Sequence, residues 1–574
     1  MSYNRRPGRA ALLTIAPCQY RSWWRERQLP SDRQRGRSSI RSTPIPSSTP
    51  PPAAFDPEQF RLVDQPKRIA DLEKGLQCSH SRTSPQRNTN SSSLSWTAAL
   101  VVKETLPVHQ TLPPESYPRI IRHLCYTLFA VYQRLFTLIV VINLAAVLIL
   151  LRCQSWQSSQ ALDLDNLATL TSSNLLLAIL FRQDWIVNLL FRSAWLVPWS
   201  LPLRVRRVTS RVYCYGGIHS GAAIMGTAWW LLFTAVMSWE GATQGNYTPL
   251  ILILTLVVSS LLVTIIALSL PRLRVRHHDT WELTHRFMGW LSVALFWAQV
   301  LLLTHYKTIS HIPERGFGYL LIKAPTFWNL VAITLLLIYP WVLLRRWTFI
   351  ATPLSPHAVQ LSFSNEVHKY SCLALSSSPL REWHPFATFP NVEVNGAREG
   401  SSMVVSAAGD WTKGLIAAVQ RQCQSQRPIG DGRKEGSVQM SFYVKSHPRA
   451  GVLSLSCLYR RVVIITTGSG IGPSLSSLLD RPAGQDARLV WSTRSPLATY
   501  GAGIMNLVDR ADPSAIVLDT DEMGRPDLLA VAWRVYREMD AEAVFVLSNE
   551  KVTRMVVGGL ERRGVPAYGP IWDS

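Results

Sequence analysis

Six long apolar runs between residues 120 and 350 constrain the fold of this chain more than any other feature. They fall at roughly 128–151, 167–190, 213–238, 248–270, 283–304 and 325–345. Each approaches the ~20 residues a helix needs to cross the hydrocarbon of a bilayer. The runs predict a membrane α-helical bundle of six helices over 120–347. The second run is the least regular, because Arg182 and Asp184 interrupt it. It reads either as a span whose charges face the bundle interior or as a broken interfacial helix.

The segments between the runs set an orientation. Arg192, Arg204, Arg206, Arg207 and Arg211 follow the second run, and Arg272, Arg274 and Arg276 precede the fifth. Arg345 and Arg346 follow the sixth. The stretches Gln154–Asp165 and Glu240–Thr248 hold no Lys or Arg. The positive-inside rule then places both termini in the cytosol of an integral, multi-pass protein of the plasma membrane or an endomembrane. Asn246 opens the sequon Asn246-Tyr247-Thr248 on the outer side and can accept a glycan, although Pro249 follows it directly.

A net charge of +22 raises the question of nucleic acid. The excess lies in the N-terminal tail and at the ends of the apolar runs, so topology accounts for it and no nucleic-acid partner is expected. Residues 1–115 are rich in Ser, Pro and Arg without periodicity and read as a disordered basic cytosolic tail. An organelle transit peptide is the other reading of its Arg-rich start. The eight Cys are scattered without a Cys-x-x-Cys pair, which argues against a zinc site or a disulfide framework.

The pattern changes after residue 346. Ala358–Phe363 and Val438–Val444 alternate as strands. Val462–Thr466, Arg488–Trp491, Ala515–Leu518 and Val544–Leu547 are short apolar strands with helical stretches between them. This predicts an antiparallel β-barrel domain over 348–455 and a parallel α/β domain over 456–574.

Two motifs carry chemistry in this half. Ile464 and Ile465 lead through Thr466 and Thr467 into Gly468-Ser469-Gly470-Ile471-Gly472-Pro473. An apolar strand there enters a glycine-rich turn and then a helix. Glycines let backbone amides approach a pyrophosphate, and the helix N-terminus favours an anion. Pro473 is expected at the first helical position, where a missing N–H costs nothing. The second motif is His384-Pro385-Phe386-Ala387-Thr388, with Trp411-Thr412 downstream.

Together the two motifs resemble the ferric reductase and NADPH oxidase superfamily, and most closely its fungal TmpA-like transmembrane flavoproteins. The latter likeness rests on His285-Arg286-Phe287-Met288-Gly289-Trp290 and the ending Gly569-Pro570-Ile571-Trp572-Asp573-Ser574. The resemblance implies a ferredoxin-reductase-like module with an FAD-binding barrel and an NAD(P)-binding α/β domain. It implies that His384, Pro385, Phe386 and Thr388 line the flavin. The family's usual Ser or Thr is Ala387 here, so one hydroxyl is lost or passes to Thr388. Trp411 and Thr412 either join that barrel wall or are ordinary strand packing. Gly468, Ser469, Gly470, Gly472 and Pro473 would hold the dinucleotide phosphates, and Arg525 belongs to a further element of the same domain. Arg494 follows the next strand, where a guanidinium either forks onto a 2′-phosphate and selects NADPH or is a solvated surface charge. The family's Cys-Gly motif is replaced by Val546-Leu547-Ser548-Asn549. Trp572 would stack on the flavin or lie exposed.

Members of that family place two His about 13 or 14 residues apart on each of two helices and bind two haems. Here Phe233 lies fourteen residues beyond His219, and Ala298 and Gln299 stand at the matching positions after His285. His219 is 8 residues past Arg211 and His285 is 9 past Arg276, so both sit ~12 Å in from the basic side. Either they are the axial ligands of one inner b-type haem, or they are packing residues in a haem-free bundle. The implied function is transfer of electrons from NADPH through FAD to an unknown small-molecule acceptor, with fungal development or secondary metabolism as the setting. A metal reductase, an oxidase making reactive oxygen, and a non-catalytic membrane sensor or scaffold are the alternatives.

Overall fold

The computed structural model describes residues 112–116, 118, 131–156, 163–310, 314–392, 398–425, 436–445 and 447–571. Most of the expected tail, and Trp572, lie outside the described residues.

The helical half contains α1 (Val131–Trp156), α2 (Leu164–Leu180), α3 (Asp184–Trp195), α4 (Leu203–Thr209) and α5 (Gly216–Gln244). It continues through α6 (Pro249–Leu268), α7 (Pro271–Arg276), α8 (His278–Ser310), α9 (Phe317–Lys323) and α10 (Pro325–Val342). Among the described residues, five helices are long and apolar enough to cross a bilayer, with α2 and α3 together making a possible sixth. Small residues let these helices approach. A Cβ on Gly217 of α5 would stand 2.3 Å from the Tyr132 carbonyl of α1. Buried Asn143 and Asn174 exchange amide hydrogen bonds at 3.1 and 2.8 Å, and Trp229 donates to the same Asn143 oxygen at 2.7 Å.

Of the two readings of the run at 167–190, the structure takes the broken one, as two helices in place of a single one. α2 and α3 meet at a bend of 63°. Asp184 opens α3 at the bend. Its carboxylate pairs with Arg449 at 2.8 Å, and Asn188 one turn later donates to the Pro448 carbonyl at 3.4 Å. These contacts hold α3 against the strand-rich half instead of leaving it in line with α2.

That half begins at β1 (Arg345–Ser355), three residues past the end of α10, followed by β2 (Ala358–Phe363), β3 (Ser371–Ser376), β4 (His384–Ala387), β5 (Phe389–Val392) and β6 (Arg398–Ser406). After α11 (Asp410–Ser425) come β7 (Val438–Val444) and β8 (Arg449–Ala450). The strand order is β4-β3-β7-β1-β2-β6-β5. β4 and β5 are separated by Thr388 alone. One nearly continuous strand therefore pairs with β3 through its first part and with β6 through its second, which closes an antiparallel barrel. Leu415, Ile416 and Val419 of α11 pack into the barrel core with Phe349, Leu361, Phe386 and Phe442.

The remaining sheet is parallel, in the order β11 (Ile516–Asp519), β10 (Asp486–Thr493), β9 (Arg461–Thr467), β12 (Ala543–Leu547), β13 (Ala567–Tyr568). Helices α12 (Ile471–Leu479), α13 (Pro496–Ala511), α14 (Leu528–Glu538) and α15 (Glu550–Glu561) connect the strands. The chain reverses its direction of travel across the sheet between β9 and β12, which opens a crevice at their carboxyl ends.

Ion pairs fasten the helices to this sheet. Arg206 of α4 is 5% exposed. It donates to both Glu542 oxygens, at 2.9 and 3.0 Å, and to the Leu458 carbonyl at 3.1 Å. Arg211 reaches Glu561 at 2.5 Å. Burial alone pushes the Glu542 carboxyl up, but the Arg206 fork and the Arg460 and Arg461 amides hold it below the ordinary carboxylate range. A carboxylate depressed in the folded state stabilises fully above its unfolded value of ~4.3 and loses that contribution as pH falls through the lower folded value. Glu542→Gln should therefore lower stability by about 3 kcal/mol at neutral pH. The gap from wild type in thermal melts should hold above about pH 4.3 and narrow as pH falls from there through the lowered folded-state value.

Candidate functional site

The glycine-rich turn sits at the crevice. Gly468–Gly470 form a single 3-10 turn between β9 and α12, with Gly468 at φ +52°. Gly470 is the most constrained position. A Cβ there would lie 2.1 Å from Thr466 Oγ1 and 2.9 Å from the Leu547 carbonyl. Those two atoms are themselves hydrogen-bonded at 2.9 Å, tying β9 to β12 beneath the turn. Pro473 is the third residue of α12 rather than the first, still within the turn whose N–H groups have no helical acceptor. Ser469 is buried. A Cβ on Gly472 would lie 3.9 Å from Val404 of the barrel, so the start of α12 faces β6.

The barrel motif divides by strand parity. His384 and Phe386 pair with Leu375 and Leu373, whose side chains belong to the barrel core. His384 stacks on Trp411 at 4.3 Å, and Phe386 lies over the same indole at 6.0 Å. Ala387, paired with Cys372, faces the other way and lines a cavity with it. Thr388 does not take over the missing hydroxyl. Its Oγ1 donates to the Ser371 carbonyl at 3.1 Å, within the barrel. Trp411 and Thr412 are not on a barrel strand. They occupy the first turn of α11, where Thr412 Oγ1 accepts from the amides of Ala408 and Gly409 at 3.0 and 2.9 Å.

Burial lowers the affinity of His384 for a proton, against the opposing pull of Glu382 and Asp279, so its ring is neutral near pH 7. Its Nε2 is buried without a protein partner. The loop before it is tied to the helices. Arg286, next to His285, donates to the carbonyls of Leu380 and Arg381 at 3.0 and 3.1 Å. The Lys445 ammonium lies 5.3 Å from the Trp341 ring and 5.7 Å from that of Trp383, and burial pushes its pKa down to about 8.

The cavity measures about 70 Å³. Its walls come from three places: Phe191, Tyr213 and Tyr215 of the helical half, Cys372 and Ala387 of the barrel, and Pro473, Leu547 and Ile571 of the parallel-sheet unit. The hydroxyls of Tyr215 and Ser454 are buried without protein partners, and both residues line it. Polar atoms held in this way call for a polar group that a ligand can supply. The volume is below the ~300–1,000 Å³ of small-molecule pockets, so a tricyclic ring requires its walls to part. The chain enters the cavity at Pro570 and Ile571, directly before Trp572.

Spacing along the chain did not single out Tyr215, Ser454, Cys372 or a hydroxyl pair at the crevice, Thr467 Oγ1 and Ser548 Oγ, 2.5 Å apart. The last pair had a usable signal, since Thr467 ends β9 and Ser548 follows β12, the two strands that flank the reversal of strand order. Arg494 and Arg525 follow β10 and β11, neighbours in register at Thr493 and Asp519. Arg494 is largely exposed, 3.9 Å from Asp521. Asn246 lies in the turn between α5 and α6, its amide donating to Gln244 at 2.8 Å.

His219 and His285 meet in the helical half, ring centroids 6.4 Å apart. His219 Nδ1 bonds the Ala178 carbonyl at 2.8 Å, and His285 Nδ1 is buried without a protein partner. The positions that outer haem ligands would need are filled. Phe233 stacks on Trp230 at 4.7 Å, Trp230 packs on Phe296 at 4.7 Å, and Gln299 donates to Thr255 at 2.6 Å. No cluster of three or more metal-ligating side chains occurs among the described residues.

A family model described as the C-terminal domain of adenylate-forming reductase 03009 matches residues 452–574. Adenylate-forming reductase 06235 of Coprinopsis cinerea is 36% identical over 466 residues, covering 81% of this chain and 42% of the relative. Adenylate-forming reductase 03009 of the same organism is 35% identical over 464 residues, covering 80% and 42%. The chain thus spans less than half the length of the curated relatives it matches. Ferric-reductase or TmpA-like membership finds no support among these relatives. Among solved structures, the CS-b5R domains of human Ncb5or in its NAD+ form are similar at 11% identity, 40% of this chain, 69% of that chain and TM-score 0.30. A ferredoxin NADP+ reductase from Neisseria gonorrhoeae with bound FAD and NADP is similar at 12%, 40%, 99% and 0.28. Likeness at that level carries no argument about this chain, and the fold assignment rests on the strand order above.

Gly470→Ala should destabilise the protein by roughly 1–3 kcal/mol in thermal or denaturant melts, because the added methyl overlaps Thr466 Oγ1. Adding Thr466→Ala to it should recover more than half of the lost stability.

Proposed function

We propose that this chain is a flavin-dependent oxidoreductase that takes a hydride from NADPH and delivers electrons on the basic, module-bearing side of a membrane. The observation that carries this reading is the shared cavity. Ala387 of the barrel motif, Pro473 just past the glycine-rich turn, and Tyr213 and Tyr215 ahead of α5 all line one small cavity, where the Tyr215 and Ser454 hydroxyls have no protein partner. FAD supplies the two-electron chemistry when bound, and the protein supplies position and exclusion of water. The turn at Gly468–Gly470 would hold the dinucleotide phosphates, with Arg494 and Arg525 at its edge for a 2′-phosphate. The resemblance of 452–574 to the C-terminal domain of an adenylate-forming reductase supports the reductive part of that description for this chain.

Membrane insertion is supported by apolar side chains exposed along α1 and α6, among them Leu138, Ile142, Leu148, Ile253 and Leu256. The basic ends of the helices face the strand-rich half, as the positive-inside rule requires if that half is cytosolic. Glycosylation of Asn246 belongs to the same topology.

A second reading adds one haem, favoured by the His219–His285 pair. Two imidazoles on one metal at ~2.0–2.1 Å each place their ring centroids roughly 6 Å apart, close to the 6.4 Å observed. The Ala178 carbonyl would fix the His219 tautomer, as second-shell partners do. With the outer positions filled, no relay across the whole bundle is expected.

Purified full-length protein should hold FAD, and anaerobic NADPH should bleach its flavin absorbance. Colourless protein that never oxidises NADPH would favour a non-catalytic scaffold. In the same sample a reduced-minus-oxidised spectrum giving a haem to protein ratio near one supports the second reading. A ratio of zero removes the haem, and a ratio near two contradicts the filled outer half.

A further inference from the structure

The glycine-rich turn and the end of β10 are joined, because Trp491 Nε1 donates to the Gly468 carbonyl at 2.9 Å. Where such a turn holds a dinucleotide, the residues closing the next strand meet the adenosine ribose, and a cation there takes a 2′-phosphate. β10 is that strand, and Arg494 and Ser495 follow it directly. Both are already engaged by the neighbouring loop, which leaves β11 at Asp519. Ser495 Oγ donates to Asp521 Oδ2 at 2.9 Å, and Arg494 Nε stands 3.9 Å from Asp521 Oδ1. Asp519 fixes this arrangement. Its Oδ1 accepts from the Ser495 and Asp521 amides at 3.0 and 2.9 Å. Those bonds hold Ser495 at φ +35°, a region that a serine rarely adopts. The Asp521 side chain is half exposed and that of Arg494 more so, so a ligand reaches both. Across the two loops Asp519, Asp521 and Glu522 stand against Arg494 and Arg525. A 2′-phosphate would bring nearly two further negative charges into that balance.

We propose that Asp521 is a specificity-determining residue of the dinucleotide site: its carboxylate occupies the Ser495 hydroxyl and the Arg494 guanidinium that a ribose 2′-phosphate would use, and so holds back preference for the phosphorylated dinucleotide. This rests on the reading of the Gly468–Gly470 turn as the site of the dinucleotide phosphates. A plain ribose leaves the Asp521 contacts in place and can donate its own 2′-hydroxyl to that carboxylate. A 2′-phosphate has to displace the carboxylate from both donors and does so against its charge. The chain therefore accepts NADH beside NADPH, and Arg494 alone does not select between them.

Calorimetric titration of full-length protein with NADP+ and with NAD+ tests this, since neither oxidised dinucleotide can be consumed. Wild-type protein should bind the two with affinities within about tenfold of each other. Asp521→Asn keeps an oxygen for the Ser495 hydroxyl and removes only the charge. It should tighten NADP+ roughly tenfold, the effect of taking one like charge from an exposed anion site, and leave NAD+ within about twofold. The gain should shrink at high salt. Asp521→Ser, whose short side chain does not reproduce the carboxylate's contacts, should give the same selective gain. Adding Arg494→Ala to Asp521→Asn should remove it. Wild-type protein that binds neither dinucleotide overturns the reading of the turn and the proposal with it. Wild-type protein that binds both, with both variants leaving the NADP+ to NAD+ ratio unchanged, overturns the proposal alone. So does a wild-type preference for NADP+ beyond about tenfold, or a gain that survives the loss of Arg494.

Discussion

Arg206 carries its guanidinium into the contact between α4 and the parallel-sheet unit, where only 5% of the residue meets solvent. A charge so placed is tolerable only if it is neutralised where it lies. Glu542 does so with a two-toothed fork, and the Leu458 carbonyl takes one more bond. Ion pairs of this kind add little net stability, because desolvation offsets much of the attraction. Their geometric demand is strict, however. With Asp184–Arg449 and Arg211–Glu561 they fix how the helices meet both strand-bearing units. The third wall of the cavity, Phe191, Tyr213 and Tyr215, exists only because that docking holds.

The same pairs show why the fold was partly legible from the sequence. Alternation and apolar runs located β2 and β7 to the residue and found β9, β10, β11 and β12, since strand patterns are local. The long apolar helices are local in the same sense. The second run misled because its interruption is explained elsewhere, by an Arg in β8 more than 250 residues away. Trp411 packs against the barrel core from a capped helix start, with the Thr412 hydroxyl on the Ala408 and Gly409 amides, where either reading of the pair, barrel wall or strand packing, expects a strand.

The site shows the same division. Gly470 was legible, because a strand running into glycines and a helix has few uses, and the contacts its Cβ would make give the reason for glycine. His384 and Phe386 were legible as a motif but not as a direction. Strand parity sends them to Trp411 and leaves Ala387 at the cavity. Tyr215 was invisible, because a tyrosine before a glycine-rich helix start carries no sign of what faces it across the fold. The outer half of the bundle is a packed aromatic core, with Trp230, Phe233 and Phe296 in contact.

The central claim is that one cofactor ring occupies the space where barrel, nucleotide-binding sheet and helices meet. An experimental structure of full-length protein saturated with FAD tests it most directly. The account predicts flat density for the ring bounded by Tyr215, Ala387 and Leu547, with the Pro570–Ile571 segment displaced to admit it. Ring density outside that space, or a cavity unchanged in protein shown to hold FAD, would contradict it.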